Sequence, residues 1–212
     1  EMQRRLEETL GYRPAVTVGT FHAVCARILR AEAAHLAGRV DKNFVIFDQA
    51  DTEAAIKKIA HRMQLPAEQF HYKALAAAIE AAKRTLRPPA EFERYDRFTD
   101  VAGDVYAAYQ GLLKENNALD FGDLIMETVL LFRRDAASLA RWRDNFRHIL
   151  VDEYQDTNLA QFELLRLLSH DHRSLCVVGD PDQSIYRWRG ADVSNFQRLQ
   201  KAFPELKVYT LE

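Results

Sequence analysis

Residues 148–158 read HILVDEYQDTN. Three apolar residues, Ile149, Leu150 and Val151, run directly into Asp152 and Glu153, and a third carboxylate follows at Asp156. A short apolar run with polar flanks reads as a buried strand. In a parallel sheet, ligands meet the chain at the carboxyl ends of such strands. Two adjacent acids there can hold different tasks, because successive side chains diverge. One can ligate a divalent metal on a phosphate while the other orients or activates a water. Taken alone, the stretch also admits a plainer reading, an acidic pair that opens a solvated turn.

The surrounding texture favours the strand. Asn158 is placed to cap a helix over NLAQFELLRLLSH, SLCVVGD (174–180) reads as a second apolar strand, and LKVYTL (206–211) reads as a third. Strand, helix, strand with buried runs predicts a parallel sheet covered on both faces. The acid-tipped ends Asp152–Glu153 and Gly179–Asp180 would then lie side by side. Upstream, AVTVG (15–19) reads as a short strand, followed by Thr20 as N-cap of a helix that Gly38 could end.

Between these α/β parts the pattern is almost wholly helical. NFVIF (43–47) is a short extended segment, and Asp48 or Asp51 then caps a helix carrying Ile56, Ile59, Ala60 and Met63 at helical spacing. An alanine-rich helix over 72–86 stops at Pro88–Pro89. Two more helices follow, one from about Asp100 to Asn116 and one opening near Asp120. The expected fold class is therefore α/β, a partial parallel sheet with a large, mostly helical inserted subdomain.

Composition narrows the class without naming it. A hydrophobic fraction of 48% and a charged fraction of 28% are those of an ordinary globular chain. The net charge of −2 gives no support to a nucleic-acid packaging protein, so any contact with nucleic acid has to rest on a local patch. No apolar run approaches the roughly 20 residues of a membrane helix, which predicts no membrane partner. Cys25 and Cys176 stand apart in apolar company and read as reduced core residues of an intracellular, cytoplasmic protein.

Two further stretches carry chemistry. VVGDPDQSIYRWRGAD (177–192) combines tight backbone at Gly179, Pro181 and Gly190 with a neutral amide, Gln183, able to touch a phosphate or a water. It then interleaves Tyr186, Arg187, Trp188 and Arg189. Rings with guanidinium groups between them suit single-stranded nucleic acid, whose bases stack and whose phosphates pair with Arg. A Tyr/Trp pair anchoring a loop in the core is the alternative. In TVGTFHAVCARILR (17–30), Thr20, Phe21 and His22 occupy a strand-to-helix turn, where free N–H groups favour a phosphate.

Taken together, VGTFHAVCARILR, LDFGDLI, ILVDEYQDTN and GDPDQSIYRWRGAD, in that order, resemble the UvrD/Rep-type superfamily 1 DNA helicases over nearly the whole chain. The resemblance implies a RecA-like domain 1A over residues 1–29 and 121–212 and a helical subdomain 1B over 30–120. It implies that Asp152 binds the Mg2+ of ATP and that Glu153 is the catalytic base, also near the metal. Gln155 and Asp156 complete the nucleotide-side Walker B motif, and Gln183 senses the γ-phosphate and reports it to the DNA track. Tyr186, Trp188 and Arg189 would contact single-stranded DNA, with Thr20, Phe21 and His22 lining the same path. The family usually carries an acid where Gly122 stands, and Gly122 receives no catalytic role.

The departures shape the expected function. No Gly-Lys-Ser/Thr occurs in the sequence, so the phosphate-gripping loop is missing from it. The resemblance implies a fragment of an ATP-dependent 3′–5′ DNA helicase acting on single strands and ss/ds junctions, inactive as an ATPase on its own. The alternatives are a DNA-binding or interaction module that never hydrolyses ATP, and the motor part of a helicase–nuclease subunit. A Gly-x-Gly-Lys-Ser/Thr shortly upstream in the reading frame would decide for the motor. A sheet left open at its edge would rely on the helices of 1B for its order, or on dimerisation through the uncovered surface.

Overall fold

A computed structural model of the chain describes residues 2–170, 174–180, 183 and 194–210. Helix α1 (Met2–Leu10) is followed by an extended segment and by α2 (Phe21–Ala31), whose N-cap is Thr20: its hydroxyl accepts from the N–H of Ala23 at 3.3 Å. Strand β1 (Val45–Phe47) leads into α3 (Gln49–Arg62), capped by a reciprocal Asp48–Asp51 box. Helices α4 (Tyr72–Arg84) and α5 (Arg97–Glu115) come next. Strand β2 (Ala118–Asp120) runs straight into α6 (Phe121–Arg134), which Asp120 caps, and α7 (Ala136–Asn145) follows. The remaining elements are β3 (Ile149–Val151), α8 (Leu159–Ser169), β4 (Leu175–Val177) and α9 (Ser194–Ala202).

Both strand pairs are parallel. Val45–Phe47 pairs in register with Ala118–Asp120, and Ile149–Val151 with Leu175–Val177. The expected adjacency of the β3 and β4 tips is therefore present, within an α/β fold of RecA-like kind that carries a large helical insertion. Among the described residues the buried apolar side chains separate into three clusters. One joins α2, α6, α7 and α8 around Ile28, Leu29, Leu124, Val129 and Leu164. The second belongs to α3, α4 and α5, around Ile56, Ile59, Leu75, Ile79, Val105 and Leu113. The third, around Val151, Tyr154, Phe162, Leu165 and Leu199, packs α8 and α9 on one face of the β3–β4 pair.

Several sequence expectations differ from the fold. Residues 15–19 form no strand, and Val16 is exposed. Residues 206–210 form none either, with Val208 and Tyr209 at the surface, while Leu211 lies outside the described residues. A strand exists by virtue of a ladder partner, and neither segment has one among the described residues. The predicted cover on both faces of the sheet is also absent there. Leu150 and its register partner Cys176 point away from α8 and are exposed, Leu150 at 79%. Cys176 is thus a surface thiol and not a core residue, because alternation along β4 turns it to the open face. Cys25 is buried as expected, and burial pushes its thiol up to about 12. Helix α2 stops at Ala31 and not near Gly38, since Glu32 departs from helical backbone at φ −101°, ψ 18° and turns a buried carboxylate to α7.

That carboxylate is well satisfied. Glu32 accepts from Ser138 Oγ (2.9 Å), Arg141 Nη2 (2.6 Å) and Trp142 Nε1 (2.9 Å). Burial works to raise its pKa, but these donors outweigh it and the group lies below its ordinary value. The contact fastens the end of α2 to α7 across the first cluster. Among the described residues no helix is long and apolar enough to cross a membrane.

Candidate functional site

The tip of β3 turns sharply. Asp152 is followed by Glu153 in the left-handed region (φ 52°, ψ 43°), an uncommon conformation for a residue with a side chain and one that concentrates at functional turns. Asp152 Oδ1 accepts from the N–H of Glu153 at 3.0 Å, which braces the turn. A single 3₁₀ turn, Tyr154–Asp156, then redirects the chain into α8. Both Asp152 and Glu153 are exposed.

The β4 tip is stitched to this turn. The N–H of Val178 donates to the Val151 carbonyl (2.8 Å), and the N–H of Tyr154 donates to the Val178 carbonyl (2.9 Å). Gln155, 3% exposed, completes the join with its side chain. Its Nε2 donates to Glu153 Oε2 at 2.6 Å, and its Oε1 accepts from the N–H of Asp180 at 3.1 Å. Asp180 in turn accepts from Gln183, through Oδ2 from Nε2 at 2.8 Å and through its carbonyl from the N–H at 3.1 Å. Glu153, Gln155 and Gln183 are thereby brought into one hydrogen-bonded chain by Asp180, which was legible in the sequence only as a strand-end acid.

Gly179 makes the approach possible. A Cβ built on it would lie 2.6 Å from Gln155 Oε1 and 3.0 Å from the backbone nitrogen of Tyr154. Any side chain there would force the two tips apart. From below, the 3₁₀ turn is held by the core. Tyr154, fully buried, donates to the Asn195 carbonyl at 3.3 Å and meets Phe196 edge-on, and Asn195 Nδ2 donates to the Thr157 carbonyl at 2.8 Å. Burial pushes the Tyr154 phenol up to about 12, so it serves as a neutral anchor. Asp156 is half-buried, and its Oδ1 is a buried acceptor with no partner among the described residues.

The donor set suits a hard divalent cation that brings its own ligands. No group of three or more His, Cys, Asp or Glu capable of caging a metal occurs among the described residues. Two exposed neighbouring carboxylates on a braced turn are what Mg2+ takes when phosphate and water complete its shell.

On α2 the predicted residues divide. The Thr20 hydroxyl is engaged in capping, and Phe21 is half-buried against the first and third apolar clusters. His22, like Phe21, is half-buried, while Thr20 is exposed. The His22 ring meets that of Phe121 edge-on, with centroids 5.4 Å apart at 76°, and burial lowers its pKa, favouring the neutral imidazole. Phe121, 47% exposed, was not singled out in the sequence, although an aromatic directly after the N-cap residue Asp120 is a usable signal. It also borders an open cavity of about 540 Å3 with Asp48, Gln49, Ala50 and Glu53. Tyr186, Trp188 and Arg189 lie outside the described residues.

A second polar cluster, unmarked in the sequence, sits behind Phe121. Lys83, 1% exposed, reaches Asp120 Oδ2 at 2.6 Å and Asp123 Oδ1 at 2.8 Å. Tyr109 donates to Asp120 Oδ2 (3.0 Å), Gln110 donates to Asp123 Oδ1 (2.8 Å), and Arg39 ion-pairs with Asp123 and Glu127, each at 3.6 Å. Burial acts to raise the pKa of Asp120, yet the charge of Lys83 brings it below the ordinary value. Burial and the neighbouring Asp120 raise that of Asp123.

Comparison with known proteins matches residues 1–204 to the model of the UvrD/REP helicase N-terminal domain. The chain is 42% identical over 215 aligned positions to the ATP-dependent DNA helicase PcrA of Bacillus subtilis (strain 168). It is 40% identical to the proteins of that name from Staphylococcus epidermidis (strain ATCC 12228) and Staphylococcus aureus (strain NCTC 8325). Each match covers 100% of this chain and 29% of the relative, so the chain spans less than a third of their length. The strand tips joined through Gln155, and the match over 1–204, lead to one conclusion: this chain belongs to the UvrD/REP helicase N-terminal domain family.

Proposed function

We propose that this chain is part of a motor that uses ATP hydrolysis to move 3′ to 5′ along single-stranded DNA and to open duplex at ss/ds junctions. One observation carries the reading: Glu153 and Gln183 stand at the two ends of a continuous hydrogen-bonded chain, Glu153–Gln155–Asp180–Gln183, across adjoining strand tips. A group that activates water and a group that senses phosphate have to be coupled for hydrolysis to be read elsewhere, and this chain couples them.

In this reading Asp152 holds Mg2+, with Glu153 beside it. Mg2+ bound with ATP would neutralise charge on the transferring phosphoryl group. Glu153 takes the proton of the attacking water. Its Oε2 is fixed by Gln155, which leaves Oε1 for that task. Gln183 contacts the γ-phosphate, and a change in its position pulls on Asp180. Asp156, whose Oδ1 has no partner among the described residues, supplies an acceptor to the nucleotide side of the site.

Single-stranded DNA would run over the outward edge of α2, where Thr20, Phe21 and His22 are joined by Phe121, and on to Tyr186, Trp188 and Arg189. Residues 1–29 and 121–212 serve as the RecA-like unit and residues 30–120 as the helical subdomain. The separate apolar cluster of α3, α4 and α5 supports that division. Lacking Gly-Lys-Ser/Thr, the 212-residue chain by itself hydrolyses no ATP.

Phosphate release by the full-length protein, with and without single-stranded DNA, tests the reading. Glu153→Gln should lower turnover by about 10²–10⁴-fold while ATP binding persists. Full turnover in that variant would remove Glu153 from the role of base. DNA-stimulated turnover by the 212-residue chain would overturn its inactivity.

A further inference from the structure

We propose that Lys83 is a positioning residue for DNA: its buried grip on Asp120 holds the β2–α6 corner so that the Phe121 ring stays against His22. The inference rests on the reading of the His22–Phe121 edge as part of the DNA path.

Three features of the corner support it. First, a single carboxylate does two jobs. Asp120 Oδ1 accepts from the N–H of Asp123 at 2.9 Å and so starts α6, while its Oδ2 accepts from Lys83 and Tyr109. Phe121 is the next residue, so the backbone that aims its ring is fixed from both sides. Second, the grip cannot slide. A buried ammonium is tolerated only when paired, and moving Lys83 away would leave two carboxylates facing each other in the core. Third, Gly122 admits the lysine. A Cβ at 122 would lie 2.9 Å from Lys83 Cδ and 3.1 Å from Lys83 Cβ, so a side chain there would push the lysine stem from the place it occupies in this chain.

The consequence is a physical link between the helical insertion and the DNA-facing edge. Lys83 lies on α4 and Tyr109 on α5, whereas His22 lies on α2, which packs on α6. Half-exposed rings on a surface change rotamer readily. Phe121 keeps its edge contact with His22 only while the insertion holds the corner.

The test uses the full-length protein and two ways of disturbing the grip. Lys83→Met removes the charge, and Gly122→Ala keeps every charge but displaces the lysine stem, which guards against a variant that fails to fold. Affinity for a single-stranded oligonucleotide is measured in each, with and without Phe121→Ala. A 4-fluorophenylalanine placed at 121 reports the ring's environment without DNA. Loss of the ring should weaken binding by about 5- to 150-fold, the range for one stacked base. Disturbing the grip should weaken it by about 3- to 10-fold, with no further loss once Phe121 is alanine, as coupled residues require. The fluorine resonance should move in both grip variants. An unmoved resonance in both overturns the positioning role, as does an undiminished loss in the Phe121→Ala background. Unchanged affinity in Phe121→Ala alone instead removes the ring from the DNA path, and the fluorine resonance still decides whether Lys83 holds the corner.

Discussion

Gln155 Nε2 donates to Glu153 Oε2 at 2.6 Å, so the side chain buried between two strand tips holds the acid exposed at the end of one of them. The same amide accepts from the Asp180 N–H with its oxygen, leaving neither end of Gln155 idle. An acid on an uncommon left-handed turn needs such a brace, because nothing in the strand itself limits its rotamers. The side chain that joins the two tips is therefore buried, while the acid it holds is exposed.

Gln155→Leu keeps the volume and removes both hydrogen bonds. In the full-length protein the proposed role of Glu153 as base requires that this variant reduce kcat for ATP by about 10-fold or more while KM changes little. Steady-state phosphate release against ATP concentration reads the two constants separately.

Gly179→Ala should separate the tips. Its methyl would stand 2.6 Å from Gln155 Oε1 and close to two backbone nitrogens, which cannot yield as a flexible side chain could. Overpacking of this kind costs about 1–3 kcal/mol. Thermal unfolding should record a lower midpoint, together with the kcat loss seen for Gln155→Leu.

Lys83→Met should be among the more damaging substitutions in the helical insertion. It leaves Asp120 and Asp123 without their shared cation in a buried setting, and breaking a buried pair on one side costs about 3–5 kcal/mol. Denaturant unfolding should show the loss, and Lys83→Met combined with Asp123→Asn should recover part of it by restoring charge balance.

Asp135 ties acid stability to the start of α7. The Ser138 backbone N–H (3.0 Å) and hydroxyl (2.7 Å to Oδ2) hold it to about 2, against an ordinary 3.8. A carboxyl with a depressed folded value binds fewer protons folded than unfolded, so its contribution is complete above 3.8 and lost as the pH falls through about 2. Asp135→Asn should flatten this part of an acid-unfolding curve followed by circular dichroism and leave neutral-pH behaviour of the strand tips unchanged.

Trp188→Ala in the full-length protein should weaken single-strand binding by about 1–3 kcal/mol, the range for one base on one ring. Fluorescence anisotropy with a labelled oligonucleotide measures it. Unchanged affinity in a folded variant would return Trp188 to a core-anchoring role.

Much of the site was readable residue by residue. Ile149–Val151 followed by Asp152–Glu153, and SLCVVGD ending in Gly179–Asp180, announced two parallel strands with adjoining tips, and both are present. Thr20, Asp48, Asp120 and Asn158 were legible as helix starts because short polar side chains satisfy free N–H groups within three residues. Residues 15–19 and 206–210 misled because β-rich composition is indifferent to whether a partner strand is there to pair with. Cys176 misled for a related reason. Apolar company along the chain says nothing of which face of the strand is covered.

What the chain determines locally, then, is where strands end in acids, where helices begin, and which residue types could handle a metal-bound phosphate. Hydrogen bonds over one to four residues and the two-residue alternation of strands suffice for that. What only the tertiary structure decides is partnership over distance: Gln155 between Glu153 and Asp180, and Lys83 between Asp120 and Asp123. In sequence Lys83 is one more charged residue in an alanine-rich helix, where a lysine is ordinarily solvated. It becomes a buried clamp because α4 packs against the start of α6, and because an ammonium removed from water is stable only where carboxylates already wait for it.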